Sequence, residues 1–499
     1  MVQHLNKIGI IQTAPIPGDF SNNLRSLVQG YRECLNKGAD IVISSVYALS
    51  GLSPKDLLRR RSFLRQMEAA METLAEELSV TDVPLVTGYA LNPLLTPIDD
   101  EDEDFWEMDD GLLYDAEEGT PTMHETVILT PCLIHRGTLR TLVDGSCATV
   151  GKFLCHVTTS AQESLPEGTV DLIIHLPKEP WYNLSEEKER QIFCWESQMA
   201  QTPVICVHPV GTADGNLYGG GSALYLDNKV AGLLPYFEAC STTLRLNTTL
   251  TKNIPPPELI SQVEKALVRG IRDTVHQNGF SGVCVPLDDD NSKLLVNLCV
   301  RALGSDNVVG ISFENNSYPG IDCKSVDISP ILRETTKLTI VIEDVLILQQ
   351  RIQGSLLATF AQEKGLMLLS TLDRHALMMG EFTLYGQSNG YLAPLGNLYR
   401  VDLFLLARYI AEQETGMENL YPEPERSEED RIIHELTEKN IAAMDILKAS
   451  DNQKKENTVR FIQRKTIASA LNRTQTPMTL FLSSPEEQLS LPITHRLND

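Results

Sequence analysis

Three consecutive carboxylates, Asp288–Asp290, stand at a turn where chemistry on a phosphate could take place. The stretch Gly279–Leu303 predicts a buried strand at Gly282–Leu287, this turn, and a helix that begins at about Ser292. In a parallel sheet, such a turn is where backbone N–H groups and the positive end of a helix hold a phosphate. Glycine, which lets a phosphate approach the backbone, is missing here, and the three carboxylates repel a polyphosphate. The turn therefore has the position of a phosphate loop without its chemistry.

Two other interpretations of this turn remain open. The aspartates could bind a divalent ion that restores phosphate affinity, although consecutive aspartates lack the ligand spacing of a calcium loop. Alternatively, Asp290 or Asn291 could simply cap the following helix on a solvated turn. The second interpretation needs no ligand, and it is the one that the residue types favour.

The elements that position this turn belong to a chain of 499 residues, which is long enough for two domains. A stiff linker at Pro255–Pro257 predicts the boundary between them. The segment 96–122 is densely acidic and has no hydrophobic period, so we expect a solvated insertion there. Its aromatic residues leave open a second possibility, contact with a basic partner surface.

The composition restricts the kinds of binding partner and the cellular compartment that we expect for this protein. The net charge of −25 argues against nucleic acid or an anionic membrane as a partner, and no apolar run is long enough to span a bilayer. The ten cysteines form no CxxC pair, so we expect neither a metal site nor a disulfide framework. We predict a cytoplasmic protein.

The first half has alternating strand and helix signals and three recognisable segments. These are Gly38–Leu52 (GADIVISSVYALSGL), Gly151–His156 (GKFLCH) and Val207–Asp227 (VHPVGTADGNLYGGGSALYLD). Together they resemble segments of the nitrilase, or carbon–nitrogen hydrolase, superfamily. The resemblance implies an αββα sandwich and a catalytic set of cysteine nucleophile, glutamate base and oxyanion-stabilising lysine.

That catalytic set is incomplete in this chain. The resemblance places Cys155 at the nucleophile position, at the end of a buried strand, and His156 where an acidic residue normally follows. It places Val46 at the position of the glutamate base, and valine cannot take a proton. We find no lysine in the expected context. Two of three catalytic groups are missing, which argues against amidase chemistry by the family mechanism, and Cys155 could equally be a structural thiol.

The second half predicts a doubly wound parallel sheet. Helices alternate with strands predicted at Gly282–Leu287, Val308–Ser312, Lys337–Ile342 and Leu366–Ser370. The segments Leu348–Leu357 (LQQRIQGSLL) and Ser370–Pro394 (STLDRHALMMGEFTLYGQSNGYLAP) resemble the ATP-pyrophosphatase domain of NAD⁺ synthetases. With the nitrilase-like first half, the layout resembles the glutamine-dependent NAD⁺ synthetase family. We predict domains at 1–253 and 254–414, followed by an acidic linker and helical tail at 415–499.

The resemblance also implies a nucleotide site, most of whose positions have changed. Ala376 and Gln387 replace two carboxylates of the family, which bind the nucleotide or its magnesium. ATP and Mg²⁺ are expected as cofactors only if the protein is an active synthetase, and otherwise we expect none. The resemblance places the family's nucleotide-site positions at Ser292, Arg351, Asp373, Arg374 and Thr383, and most of these positions are degenerate in this chain.

Three hypotheses of function follow from these patterns, and the third, an intermediate one, keeps only a thiol-dependent activity at Cys155. In the first, the chain is a homologue of the family that has lost amidase and ligase chemistry and acts as a binding or regulatory pseudoenzyme. In the second, it is an active synthetase that converts deamido-NAD⁺, ATP and glutamine to NAD⁺. The resemblance implies a homo-oligomer, and the first hypothesis adds the alternative of a complex with a functional paralogue. The packing residues persist while the site residues have changed, and this favours the first hypothesis.

Overall fold

The structure is a computed structural model of the 499-residue chain. It describes residues 5–91, 128–160, 165–166, 168–182, 185–246, 253–338, 344–413, 421–423, 427–439, 441–448 and 453–482. The acidic insertion predicted at 96–122 lies outside the described residues. The chain divides into two compact units. Unit 1 consists of Met1–Glu179, Arg190–Val210 and Gly220–Ile254, and unit 2 consists of Pro180–Glu189, Gly211–Gly219 and Pro255–Asp499.

Unit 1 contains two six-stranded mixed sheets within the described part of the chain. The first has the strand order β14-β1-β2-β3-β4-β5 and the second β13-β12-β9-β8-β7-β6. The strands of the first sheet are β1 (Lys7–Gln12), β2 (Ile41–Ser44), β3 (Leu85–Leu91), β4 (Ile128–His135), β5 (Thr138–Thr141) and β14 (Cys240–Arg245). Those of the second are β6 (Ser146–Val150), β7 (Phe153–Thr158), β8 (Leu172–His175), β9 (Val204–Cys206), β12 (Ala223–Leu226) and β13 (Lys229–Leu233).

The central strands of unit 1 are nearly continuous apolar runs because both of their faces are covered. β2 and β8 are buried at every position. Helices α1 (Phe20–Asn36) and α2 (Arg61–Leu78) are amphipathic and bury one face each. Helix α3 (Ser185–Met199) places Phe193 in the cluster that covers the second sheet. The αββα sandwich predicted from the sequence is confirmed.

Unit 2 is built on a four-stranded parallel sheet of order β17-β16-β15-β18. The strands are β15 (Gly282–Pro286), β16 (Val308–Ser312), β17 (Asp322–Ser325) and β18 (Leu366–Leu368). The chain moves outward from β15 to β17 and then returns to the other side of β15, so the strand order reverses between β15 and β18. In open parallel sheets, ligands bind at the carboxyl ends of the strands beside such a switch point. The predicted doubly wound sheet is confirmed.

The helices and remaining strands complete unit 2. β10 (Val210–Ala213) and β11 (Asn216–Gly219) form a hairpin, and β19 (Leu392–Ala393) pairs with β20 (Met478–Thr479). The helices are α4 (Leu259–Gln277), α5 (Ser292–Leu303), α6 (Ser329–Leu338), α7 (Val345–Lys364), α8 (Arg374–Met379), α9 (Arg400–Gln413), α10 (Ser427–Thr437), α11 (Ala443–Lys448), α12 (Gln453–Ala468) and α13 (Ala470–Arg473). Among the described residues, no helix is both long enough and apolar enough to cross a membrane.

One predicted strand is wrong, and one strand was missed. Lys337 and Leu338 end helix α6, and the rest of the predicted strand Lys337–Ile342 lies outside the described residues. The strand that follows β16 in the chain and pairs with it is instead β17, which is polar and mostly exposed because it lies at the edge of the sheet. An edge strand buries little apolar area, so its sequence carries almost no hydrophobic signal.

The tail packs closely on the rest of unit 2. Ile432, Ile433, Val459 and Ile462 form one buried cluster with Met378 and Met379 at the end of α8. Arg473 of the tail is half-buried and donates to the carbonyl oxygens of Thr466 and Met378. Burial lowers the pKa of this guanidinium to about 10.

Candidate functional site

The turn after β15 holds its first carboxylate against the neighbouring strand. Asp288 Oδ1 accepts hydrogen bonds from Ser312 Oγ at 2.5 Å and Asn316 Nδ2 at 3.0 Å, and Oδ2 accepts one from the Phe313 N–H at 2.6 Å. These donors lie at and just beyond the carboxyl end of β16. Asp288 therefore fixes the loop after β16, and its charge is directed at protein donors rather than at a free ligand.

The second carboxylate folds back over its own turn. Asp289 Oδ1 accepts hydrogen bonds from the Asn291 N–H at 2.9 Å and from Ser292 Oγ at 3.3 Å. Asp289 Oδ2 accepts one from the hydroxyl of Thr371, which follows β18. A backbone N–H at the start of a helix and two hydroxyls are the kind of donors that hold a phosphate. In this chain they bind the chain's own carboxylate.

The sequence interpretation of this turn needs two corrections. Three free carboxylates were expected to repel a ligand, but the carboxylates of Asp288 and Asp289 accept hydrogen bonds from the protein, and among the described contacts Asp290 has none of this kind. Neither Asp290 nor Asn291 caps helix α5 with its side chain. The Asn291 amide donates instead to the Thr371 carbonyl oxygen at 2.6 Å and to Asp373 Oδ2 at 3.3 Å.

The predicted nucleotide-site residues near this turn serve the fold. Ser292 is 2% exposed, and its hydroxyl contacts Asp289. Asp373 caps helix α8, because its Oδ1 accepts the Ala376 N–H at 2.7 Å. Arg374 is buried, and its Nη2 lies 3.3 Å from Glu438 Oε1 in the tail. The positive charge expected to face a nucleotide therefore faces a carboxylate of unit 2.

The other two predicted residues lie next to helix α7. The Thr383 hydroxyl donates to the Gln350 side-chain oxygen, and the exposed Arg351 donates from Nε to the Leu384 carbonyl oxygen at 3.3 Å. Gly354 lets the loop after α8 approach the helix, since a Cβ atom there would lie 2.6 Å from the Tyr385 carbonyl oxygen. Ser292 and Asp373 thus lie near each other, because Asn291, the residue before Ser292, donates to Asp373. Arg351 and Thr383 are also neighbours, because Arg351 is on α7 and Thr383 donates to Gln350 of the same helix.

Two cavities open beside the switch point of the sheet. The first, of about 160 Å³, extends between β15 and α7, and the second, of about 490 Å³, extends toward Arg400 and Tyr421. The second is lined by carboxylates and one guanidinium, Arg400, which lies 3.2 Å from Glu381 and 3.6 Å from Asp373. The lining carboxylates are Asp289, Asp290, Asp373, Glu381 and Glu423.

The residues of this crevice do not fit a magnesium–polyphosphate group. The turn lacks glycine, the donors at the start of α5 hold Asp289, and the one cation among the described lining residues of the larger cavity is already paired. Each unpaired like-charge contact with an incoming phosphate would cost on the order of a few kcal/mol at a protein surface. We therefore derive no catalytic step through ATP or Mg²⁺.

The candidate amidase site in unit 1 also lacks part of its expected set of catalytic residues. Val46 is fully buried just after β2, and Gly88 packs so closely on it that a Cβ there would lie 1.9 Å from the Val46 carbonyl oxygen. Cys155 is the third residue of β7 rather than its end, which corrects the predicted position. Burial, with a smaller contribution from Asp171, raises the pKa of the Cys155 thiol to about 12.

Sequence reasoning missed two polar pairs in unit 1. The thiol near His156 is Cys147 on the adjacent strand, with Sγ 3.8 Å from Nδ1, and not the neighbouring Cys155. Lys178 is half-buried and follows β8, and its carbonyl oxygen accepts a hydrogen bond from the Tyr47 hydroxyl at 3.0 Å. Burial lowers the pKa of the Lys178 amine. A cross-strand partner depends on register, which the sequence does not display.

We expect Cys155 to resist alkylation in the folded protein. With a pKa near 12 in place of the ordinary 9, its thiolate fraction is lower by about 10³ at a given pH, and the side chain is also fully buried. Iodoacetamide labelling read by peptide mass spectrometry should modify the exposed Cys147 first and reach Cys155 only in denaturant. Labelling of Cys155 at the rate of Cys147 without denaturant would contradict the burial described above.

We expect Asp289→Asn to change how stability depends on pH. Although Asp289 lies at the surface, desolvation raises the pKa of its carboxyl group from 3.8 to about 6. Between these values the folded protein binds a proton that the unfolded chain has released, so stability falls as pH rises from about 4 to about 6 and stays lower above. Asparagine removes this titration. Above pH 6 the variant should be more stable by on the order of 1 kcal/mol, after discounting for solvent screening, and below pH 4 the gain should vanish.

The measurement is a series of urea unfolding curves between pH 4 and 8. Asp290→Asn is the matched control, because it removes the same charge from an exposed neighbouring residue. A stability difference for Asp289→Asn that stays constant across the whole range would show that the carboxyl group does not titrate as described.

Comparison with known families and relatives agrees with this architecture. The NAD synthase family model matches residues 263–424. A glutamine-dependent NAD⁺ synthetase of Synechocystis is 24% identical over 457 residues, which cover 82% of this chain and 81% of that protein. The corresponding protein of Acinetobacter baylyi is 23% identical over 511 residues, covering 92% of this chain and 93% of the relative.

Solved structures show the same fold over nearly the whole chain. A glutamine-dependent NAD⁺ synthetase from Cytophaga hutchinsonii has a TM-score of 0.77 at 12% identity and covers 98% of this chain and 97% of its own. The Acinetobacter baumannii protein, solved in complex with ADP, has a TM-score of 0.68 at 17% identity, with 98% of both chains covered. At these identities the likeness of the structures concerns the fold.

Proposed function

We propose that this chain, which joins a nitrilase-like unit to an NAD synthase unit as the glutamine-dependent NAD⁺ synthetases do, is a pseudoenzyme that binds or regulates a partner. The observation that carries the proposal is the turn after β15. There the chain's own carboxylates, Asp288 and Asp289, take the backbone N–H groups and hydroxyls that would otherwise face a phosphate. The negative charge that develops during adenylation therefore loses the stabilisation that those donors would supply.

Unit 1 supports the same proposal independently. The position expected to hold the base is a buried valine, Val46, and the thiol of Cys155 is inside a strand with a raised pKa. A thiol needs a nearby base or a lowered pKa to act as a nucleophile. Both steps of glutamine-dependent synthesis, the release of ammonia and the activation of the acceptor, therefore lack groups that they require.

The fold itself is kept, and this argues for a role that depends on shape. Buried clusters in both units remain closely packed, including the cluster that joins the tail to α8. We propose that the chain assembles with itself or with a catalytically competent paralogue. We also propose a cytoplasmic location, because all ten cysteines are free thiols.

The proposal is tested one unit at a time. For unit 1, ammonia release from glutamine is measured for the wild type and for Cys155→Ala, and we expect both to equal a protein-free control. Release by the wild type that is lost in Cys155→Ala would contradict the proposal. For unit 2, we expect no increase in melting temperature with Mg²⁺–ATP, whereas a concentration-dependent increase would argue for a retained nucleotide site.

The binding role has its own test. The purified chain is mixed with an NAD⁺ synthetase encoded in the same genome, and the mixture is examined by analytical ultracentrifugation beside each protein alone. We expect either a self-associated species of this chain or a mixed complex that changes the synthetase's rate. A chain that stays monomeric and leaves the synthetase's rate unchanged would count against the proposed partners.

A further inference from the structure

The two cavities at the switch point are neighbours that share a wall. Asp289, Thr371 and Gln387 line both the cavity of about 160 Å³ and that of about 490 Å³. A ligand that extended from α7 toward Arg400 would therefore lie against these three residues.

The wall is held by hydrogen bonds between residues far apart in the sequence. The Thr371 hydroxyl donates to Asp289 Oδ2 across 82 positions of the chain. Beside it, the Asn291 amide donates to the Thr371 carbonyl oxygen at 2.6 Å in a buried contact. The backbone of Gln387 is fixed beside them, because its main-chain carbonyl oxygen accepts a hydrogen bond from the Ser370 hydroxyl at 3.0 Å. These contacts join the turn after β15 to the end of β18.

We propose that the contact between Asp289 and Thr371 is an autoinhibitory tie that divides the crevice and prevents a nucleoside-sized ligand from spanning it. When the tie is broken, the two cavities join and the crevice accepts such a ligand. The inference rests on the proposed function, in which the unmodified crevice carries no synthetase chemistry. It adds that one hydrogen-bonded pair, and not the accumulated charge of the site, keeps the crevice closed.

Two variants break the tie in different ways, and a third is the matched control. Thr371→Val removes the hydroxyl and leaves every charge in place. Asp289→Ala removes the acceptor together with one negative charge. Asp290→Ala removes one negative charge from another carboxylate that lines the larger cavity and leaves the tie intact. Circular dichroism and melting temperature establish that each full-length variant is folded, and the two tie variants can be judged separately.

The probes are adenosine, which is neutral, and ADP, with which the related Acinetobacter baumannii protein has been solved. Isothermal titration calorimetry should give an adenosine affinity at least about tenfold higher for Thr371→Val and Asp289→Ala than for the wild type and Asp290→Ala, because a hydrogen bond to a charged group no longer has to be broken. A crystal structure of either tie variant should show one continuous cavity.

Two results would overturn the proposal. In one, both folded tie variants bind adenosine no better than the wild type. In the other, Asp290→Ala gains as much ADP affinity as Asp289→Ala while Thr371→Val gains none, so that charge alone is responsible. The proposed function is judged by turnover of the unmodified chain, and it can therefore stand or fail independently of the tie.

Discussion

Glu196→Ala should lower the free energy of unfolding of unit 1 by about 3–5 kcal/mol, the range typical of breaking a buried ion pair. Glu196 and His175 are both fully buried, with Oε2 2.7 Å from Nε2. His175 Nδ1 lies 2.9 Å from the Ser160 carbonyl oxygen. Because a carbonyl oxygen can only accept, Nδ1 carries a proton, and the 2.7 Å contact requires a second proton between Nε2 and the carboxylate oxygen. Removing the carboxylate leaves a buried imidazole nitrogen without its partner.

Glu196→Gln is the control for this effect, since it keeps the volume and a hydrogen-bonding group and should cost no more than about 1–2 kcal/mol. Urea unfolding is followed by far-ultraviolet circular dichroism, and the transition that moves identifies the unit affected. The account of this pair would be contradicted if Glu196→Ala unfolded at the same urea concentration as Glu196→Gln.

Asp430→Ala should have an effect of similar size in unit 2, about 3–5 kcal/mol. Asp430 lies on α10, is 4% exposed, and its Oδ1 is 2.6 Å from Nδ1 of the fully buried His375 on α8. Its Oδ2 accepts a hydrogen bond from the Val401 N–H of α9 at 3.3 Å. One carboxylate thus joins three helices, and its loss should loosen the attachment of the tail.

Hydrogen exchange is the measurement that locates this loosening. In Asp430→Ala, protection should fall first at the amides of α10, and limited proteolysis should cut the tail sooner than in the wild type. Glu428→Ala, at an exposed position on the same helix, should change neither. Equal exchange in Asp430→Ala and the wild type would mean that the apolar cluster around Ile432 and Ile433 holds the tail without help from Asp430.

The fold could be predicted from the sequence wherever burial leaves a hydrophobic pattern. The buried strand β15 was placed within one residue of its bounds, because it is continuously apolar. The edge strand β17 was missed because its residues are polar and exposed. The order of the strands in the sheet was not predicted. The alternation of strands and helices predicted only the class of sheet, which is doubly wound and parallel.

The site could be predicted only as a set of positions. The sequence indicates that glycine is missing from the turn, but it does not show that Asp289 reaches Thr371 or that Arg374 faces Glu438. Such contacts join segments that are distant in the chain, and they depend on how the folded elements meet. For the same reason, the sequence misplaced Cys155 at a strand end and did not identify Cys147 as the thiol beside His156.

The most direct test of the central claim is ammonia-supplied NAD⁺ synthesis by the full chain. Deamido-NAD⁺, ATP, Mg²⁺ and ammonia bypass unit 1, so the assay examines unit 2 alone, and a glutamine-dependent NAD⁺ synthetase such as that of Thermotoga maritima serves as the positive control. We expect this chain to form no NAD⁺ above the protein-free background. ATP-dependent formation of NAD⁺ by the purified chain would contradict the claim that its crevice has lost synthetase chemistry.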